Sequence, residues 1–80
     1  MSTTNKIQEE FLEFHPSFIY ITHEEINENL IGVSFVFINA GRFFGAVRVF
    51  RRENGRIDWI NPIKTFTSWK ELYQMKEKTR

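Results

Sequence analysis

The sequence predicts an α+β domain: a four-stranded, mainly antiparallel β-meander with an N-terminal and a C-terminal helix, in the order α-β-β-β-β-α. Three observations predict it. Apolar residues recur at helical spacing near both ends of the chain. Between them lie runs of β-branched and aromatic residues, broken by turn formers. One of those breaks is Asn54-Gly55, flanked by strand-like sequence on both sides. An Asn-Gly pair in that setting is a strong hairpin signal, because both residues tolerate positive φ.

Each element follows from local chemistry. In "NKIQEEFLEFH", Ile7, Phe11 and Phe14 share a helical face, with Leu12 beside them. Asn5 and Gln8 have the spacing of a capping box. Pro16 ends the helix, because the residue before a proline avoids helical angles. "SFIYIT" reads as a short strand, and the polar "HEEINENL" as a loop or one helical turn. "LIGVSFVFI", "FFGAVRVFRR" and "RIDWI" are the next three strands, joined by "NAGR" and by Asn54-Gly55. Pro62 closes the last of them. In "TSWKELYQMKEKTR", Ser68 and Glu71 form a capping box, and Trp69, Leu72 and Tyr73 make an apolar stripe.

The two turns set a register. A two-residue turn at Asn54-Gly55 places Glu53 opposite Arg56, Arg52 opposite Ile57, Arg51 opposite Asp58 and Phe50 opposite Trp59. Side chains alternate between faces. One face then holds Arg48, Phe50 and Arg52 beside Ile57 and Trp59. The other holds Val47, Val49 and Ile60, with Arg51–Asp58 and Glu53–Arg56 as ion pairs. If "NAGR" pairs Ile38 with Phe43, then Phe35, Phe37, Phe44, Ala46 and Phe50 share one face, and Val36, Ile38, Phe43, Val47 and Val49 the other. A sheet with one solvated face alternates apolar and polar residues. Here both faces are apolar, and two short helices have to cover them.

Length and composition narrow the function. Eighty residues make one small domain, 1–80. There is no cysteine, so disulfides and thiolate metal sites are excluded. "MSTTNK" lacks the apolar core of a signal peptide, and no run approaches the length needed to cross a bilayer, so a cytoplasmic protein is expected. Nine Phe, two Trp and two Tyr are many for one small core, since each ring buries about 150–250 Å². The surplus points to a partner, either another protein or a second copy of the chain. Residues 1–41 sum to −5 and residues 42–80 to +6, so the net +1 hides an acidic front and a basic back.

The candidate binding surface is the hairpin "VRVFRRENGRIDW" and its flanks: Arg42, Arg48, Phe50, Arg52, Ile57, Trp59 and Lys64. Arginines beside exposed aromatics serve two chemistries. They anchor protein interfaces, and they stack bases while holding phosphates. No catalytic motif is present: there is no G-x-S-x-G, no P-loop and no cysteine nucleophile. His15 and His23 match no metal-ligand spacing. His15 suits the end of the first helix, where a cation favours the dipole. No enzyme activity, cofactor, metal or small-molecule substrate is expected.

Residues 58–72, "DWINPIKTFTSWKEL", resemble a segment of the SpoVG septation regulators in which an Asp-x-x-x-Pro-Ile run leads into a helix. "VRVFRRENG" is similar to an earlier strand of that family. The likeness covers about a third of the chain, and the extra hairpin that separates the two motifs there is lacking. It implies a small dimeric nucleic-acid-binding regulator. The two apolar sheet faces and the net charge of only +1 favour a non-catalytic binding protein acting on a protein partner or as a homodimer. The alternative is a regulator that binds single-stranded nucleic acid through residues 47–59. A phage- or plasmid-borne inhibitor, an adaptor, or a subunit of a larger assembly all fit the first expectation.

Overall fold

The computed structural model describes residues 6–78, with side chains described through residue 74. Its elements are α1 (Lys6–Phe14), β1 (Ile19–Asn27), β2 (Leu30–Asn39), β3 (Arg42–Glu53), β4 (Arg56–Ile57), β5 (Lys64–Phe66) and α2 (Trp69–Lys78). The expected α+β class, an antiparallel sheet between two terminal helices, is present, with a fifth short strand, β5, before α2. All strand pairs are antiparallel, in the order β1-β2-β3-β4, with β5 also on β3.

Two tight turns organise the sheet. Asn39 pairs with Arg42 and Glu53 with Arg56, each across a two-residue turn. All four turn residues have positive φ: Ala40 at 54°, Gly41 at 76°, Asn54 at 54° and Gly55 at 77°. That geometry matches the right-handed twist of the strands it joins. The β2–β3 register is the expected one, with Ile38 opposite Phe43 and Phe35 opposite Ala46.

Four expectations are corrected. Residues 23–27 are strand, not loop: β1 continues through Asn27, with irregularities between Tyr20 and Thr22 and between Glu25 and Asn27. Pairing with β2 satisfies its backbone, and an edge strand tolerates polar side chains such as Glu24 and Glu25. "RIDWI" is strand only to Ile57. Asp58 N–H still donates to Arg51 O at 2.9 Å, but the Asp58 carboxylate accepts from the N–H groups of Ile60 (3.1 Å) and Asn61 (3.2 Å), which turns the chain outward. The chain returns as β5, a short strand set against Val47–Val49. The Arg51–Asp58 ion pair is replaced: Asp58 is engaged in its own turn, and Arg51 lies 3.9 Å from Glu53. Finally, Phe14 is half exposed and lies off the buried stripe of α1.

Each helix takes one face. On the α1 face Phe11, Ile31, Val33, Phe35, Ala46, Phe50 and Trp59 form the larger core, with Ile7, Leu12 and Phe18 against it. Phe11 is its hub, with ring centroids of Phe35, Phe50 and Trp59 at 5.5–6.3 Å. On the opposite face α2 brings Leu72 and Trp69 onto Val47, Val49 and Phe66. Gly32 makes room for this: a Cβ there would lie 3.0 Å from the Trp69 ring. Ser68 caps α2 by accepting from Glu71 N–H at 3.3 Å, and the Glu71 carboxylate accepts from Thr67 N–H at 2.7 Å. The expected Asn5 cap of α1 lies outside the described residues.

Candidate interaction surface

The hairpin residues do not form an open platform. Arg48, Phe50, Arg52, Ile57 and Trp59 share the α1 face, as expected, but α1 lies over part of it. Phe50 is 0% and Trp59 2% exposed. Their rings meet at 4.8 Å and 60°, under Phe11. Trp59 is also fastened at both ends: its indole N–H donates to Glu10 Oε1 at 3.1 Å, and its carbonyl lies 3.0 Å from His15 Nε2. His15 follows the last residue of α1 and ties it to Trp59, with its ring stacked on Phe18 at 5.3 Å. The rings of His15, Phe18, Tyr20, Phe35, Phe50 and Trp59 all surround Phe11 and make a core, and that is why the Phe50–Trp59 pair serves packing here.

The charged members are divided. Arg52 binds Glu25 at 2.9 Å, and this contact holds the Glu25 carboxyl below its ordinary value of 4.5. Asp58 is likewise held below 3.8, chiefly by the Asn61 N–H and side-chain amide. Arg48 is half-buried, its Nε 3.1 Å from Thr65 Oγ1 and its guanidinium 5.3 Å above the Phe35 ring and 5.7 Å above Phe18. Arg42 stands at the far β2–β3 turn, and Lys64 lies on the opposite face, its Nζ 5.2 Å above the Phe66 ring.

Ile60 and Ile63 are exposed after the hairpin, but the larger group of exposed apolar side chains lies at the other end of the sheet. On the α2 face, α2 covers the half around Gly32, Val47 and Val49 and stops there. Beyond it stand Ile19, Ile21, Ile38 and Phe43, exposed by 48, 54, 60 and 70%. Ile19 pairs with the half-buried Val36, and Ile38 with Phe43, so these four form one continuous aliphatic and aromatic area; Ile21 follows Ile19 two residues along β1, at the irregularity between Tyr20 and Thr22. On the α1 face of the same end, Phe44 is exposed and stacks on Phe37 at 5.7 Å. The sequence carried a signal for this area, namely central strands apolar on both faces. It carried none for which half each short helix would cover.

An open cleft between α1 and the β3–β4 turn is lined by Glu10, Glu13, Glu25, Arg52 and Arg56, so both signs of charge face it. Among the described residues, no three His, Asp or Glu side chains gather as metal ligands, and no helix is long and apolar enough to cross a membrane. Comparison with family models, curated proteins and solved structures returned no match, and the likeness of residues 58–72 to the septation regulators gains no support from it.

Proposed function

We propose that this chain is a non-catalytic interaction domain that docks onto a protein through the open end of its sheet. The observation that carries this reading is the contiguous patch of Ile19, Ile21, Ile38 and Phe43, about half or more exposed on a folded domain. Contiguous apolar patches are uncommon on monomers and mark interaction sites. Interface centres are likewise depleted in charge and rich in aromatics. No charged side chain lies among these four residues.

A second reading, single-stranded nucleic acid, rests on Arg48 above Phe35 and Phe18 beside the Phe37–Phe44 stack. It is weaker for two reasons. Phe50 and Trp59 are closed to bases, and Arg52 is already bound to Glu25.

The paired variant Ile21→Ser with Ile38→Ser tests the first reading. Circular dichroism should stay that of the wild type, because both side chains are exposed. Binding of a hydrophobic dye and recovery of a stoichiometric protein partner should both fall. Unchanged dye binding and unchanged partner recovery would sink the proposal. A gel shift with single-stranded DNA or RNA that is abolished by Arg48→Ala would replace it with the second reading.

A further inference from the structure

The sheet edge beside the patch is open. On its outer side β3 is covered by β5 at Val47–Val49 and by β4 at Arg52–Glu53. Among the described residues, nothing pairs with that side of Arg42–Ala46. Backbone groups of alternate residues point outward along an antiparallel strand. Val49 O and Arg51 O are taken from outside by the Ile63 and Asp58 N–H groups, so the odd-numbered residues point outward. The open groups are therefore those of Phe43 and Gly45. Natural sheets guard such edges with charge, proline or a bulge. The stretch Phe43–Ala46 carries no charge or proline, and its pairing with β2 runs without a bulge.

Gly45 is the second observation. Its φ is not in the left-handed region, and a Cβ there would meet only Phe35 O, at 4.0 Å. Neither packing nor conformation requires a glycine at this position within the monomer. A glycine inside a strand often marks the close approach of another backbone.

We propose that a second copy of this chain pairs antiparallel with this edge, Phe43 opposite Phe43 across a two-fold axis. The room available sets the register. Phe66 occupies the place beside Val47, so a partner strand has only the places level with Arg42–Ala46. Centred on Phe43, the second copy sets its turn residue Gly41 level with Gly45, and glycine on both strands lets the turn close in. Centred on Phe44, the same turn would be level with Val47, where Phe66 sits. The Phe43-centred pairing uses the same patch on both chains, as a two-fold interface must. On the α1 face it puts Arg42 beside Phe44 of the second copy, a favourable cation–ring pair. On the α2 face it joins the two Ile38–Phe43 pairs into one surface, so that the docking area is built by two chains. This goes beyond the docking reading and can fail without it.

The test is a charge swap at position 43, where the exposed side chain can be changed without loss of core packing. Light scattering of the wild type at high micromolar concentration should give about twice the 9.6 kDa chain mass, one two-fold dimer. Phe43→Lys and Phe43→Glu should each be monomeric, since like charges then face each other across the axis. An equimolar mixture should recover the dimer. In the wild type, amide exchange at Phe43 and Gly45 should slow as concentration rises. A monomeric wild type, a Phe43→Lys variant that stays dimeric, or exchange at these two amides that ignores concentration would each overturn the pairing. Ile21→Ser lies off the edge and leaves the dimer mass unchanged. If the dimer fails while partner recovery still depends on Ile21, the docking reading stands alone.

Discussion

Truncating Phe11 tests whether α1 is the cover that closes the arginine-rich hairpin. Phe11 is fully buried, and its ring lies 5.5 Å from Phe35, 6.3 Å from Phe50 and 5.8 Å from Trp59. Phe11→Ala removes a ring from the centre of that cluster and leaves a cavity there. Phenylalanine-to-alanine changes in cores cost about 3–5 kcal/mol. A chain of this length has about 4–12 kcal/mol of stability in total. The variant should therefore lose about a quarter or more of its stability, and its Tm should fall by more than about 12 °C. Urea denaturation followed by far-UV circular dichroism measures the loss. Phe14→Ala on the same helix is the control: its side chain is half exposed, so its cost should stay below about 1 kcal/mol. A loss below about 1 kcal/mol for Phe11→Ala, or equal losses for the two variants, would refute the placement of α1 over Phe50 and Trp59.

Other outcomes follow from the same contacts. Ala40→Asn in the β2–β3 turn should raise stability by about 1 kcal/mol in thermal melts, because Ala40 holds φ 54°, where asparagine is at less cost. In the monomer, Gly32→Ala should destabilise and Gly45→Ala should not, because a Cβ at 32 meets the Trp69 ring at 3.0 Å while one at 45 meets only a backbone oxygen at 4.0 Å; urea midpoints of the two variants, in protein dilute enough to be monomeric, decide. The lowered carboxyls of Glu25 and Asp58 contribute stability that is present above their ordinary values of 4.5 and 3.8 and is lost as pH falls through their folded values. Urea midpoints should accordingly drop on acidification, and Glu25→Gln with Asp58→Asn should flatten that acid limb.

Much of the fold was legible because turns are local. Asn54-Gly55 and the Ala40-Gly41 pair fix their own registers, and those registers sorted Phe35, Phe37, Phe44 and Phe50 from Val36, Ile38, Phe43 and Val49 correctly. Ser68 and Glu71 announced α2 in the same local way. Pairing across the chain was harder to read. Residues 23–27 look like a loop by composition, and they are strand because β2 supplies partners for their backbone. Asp58 and Pro62 were the available signal that the strand after the hairpin breaks early, through the aspartate turn onto Ile60 and Asn61. The exposure of Phe50 and Trp59 was misread for a related reason. Alternation put Phe50 and Trp59 on one face, but only the tertiary position of Phe11 decides whether that face is a platform or a core. With Phe11 there, the open apolar area is at Ile19, Ile21, Ile38 and Phe43 instead.

A photo-crosslinking residue at position 21, in the cells that make this protein, tests the docking surface most directly. Ile21 is exposed within the open patch, and Arg56 is exposed at the opposite end of the sheet, beside the charged cleft. Irradiation should give a discrete protein adduct from position 21 and none from position 56, with mass spectrometry identifying the attached chain. Adducts from position 56 alone, or adducts to nucleic acid from either position, would contradict docking of a protein through the open end of the sheet.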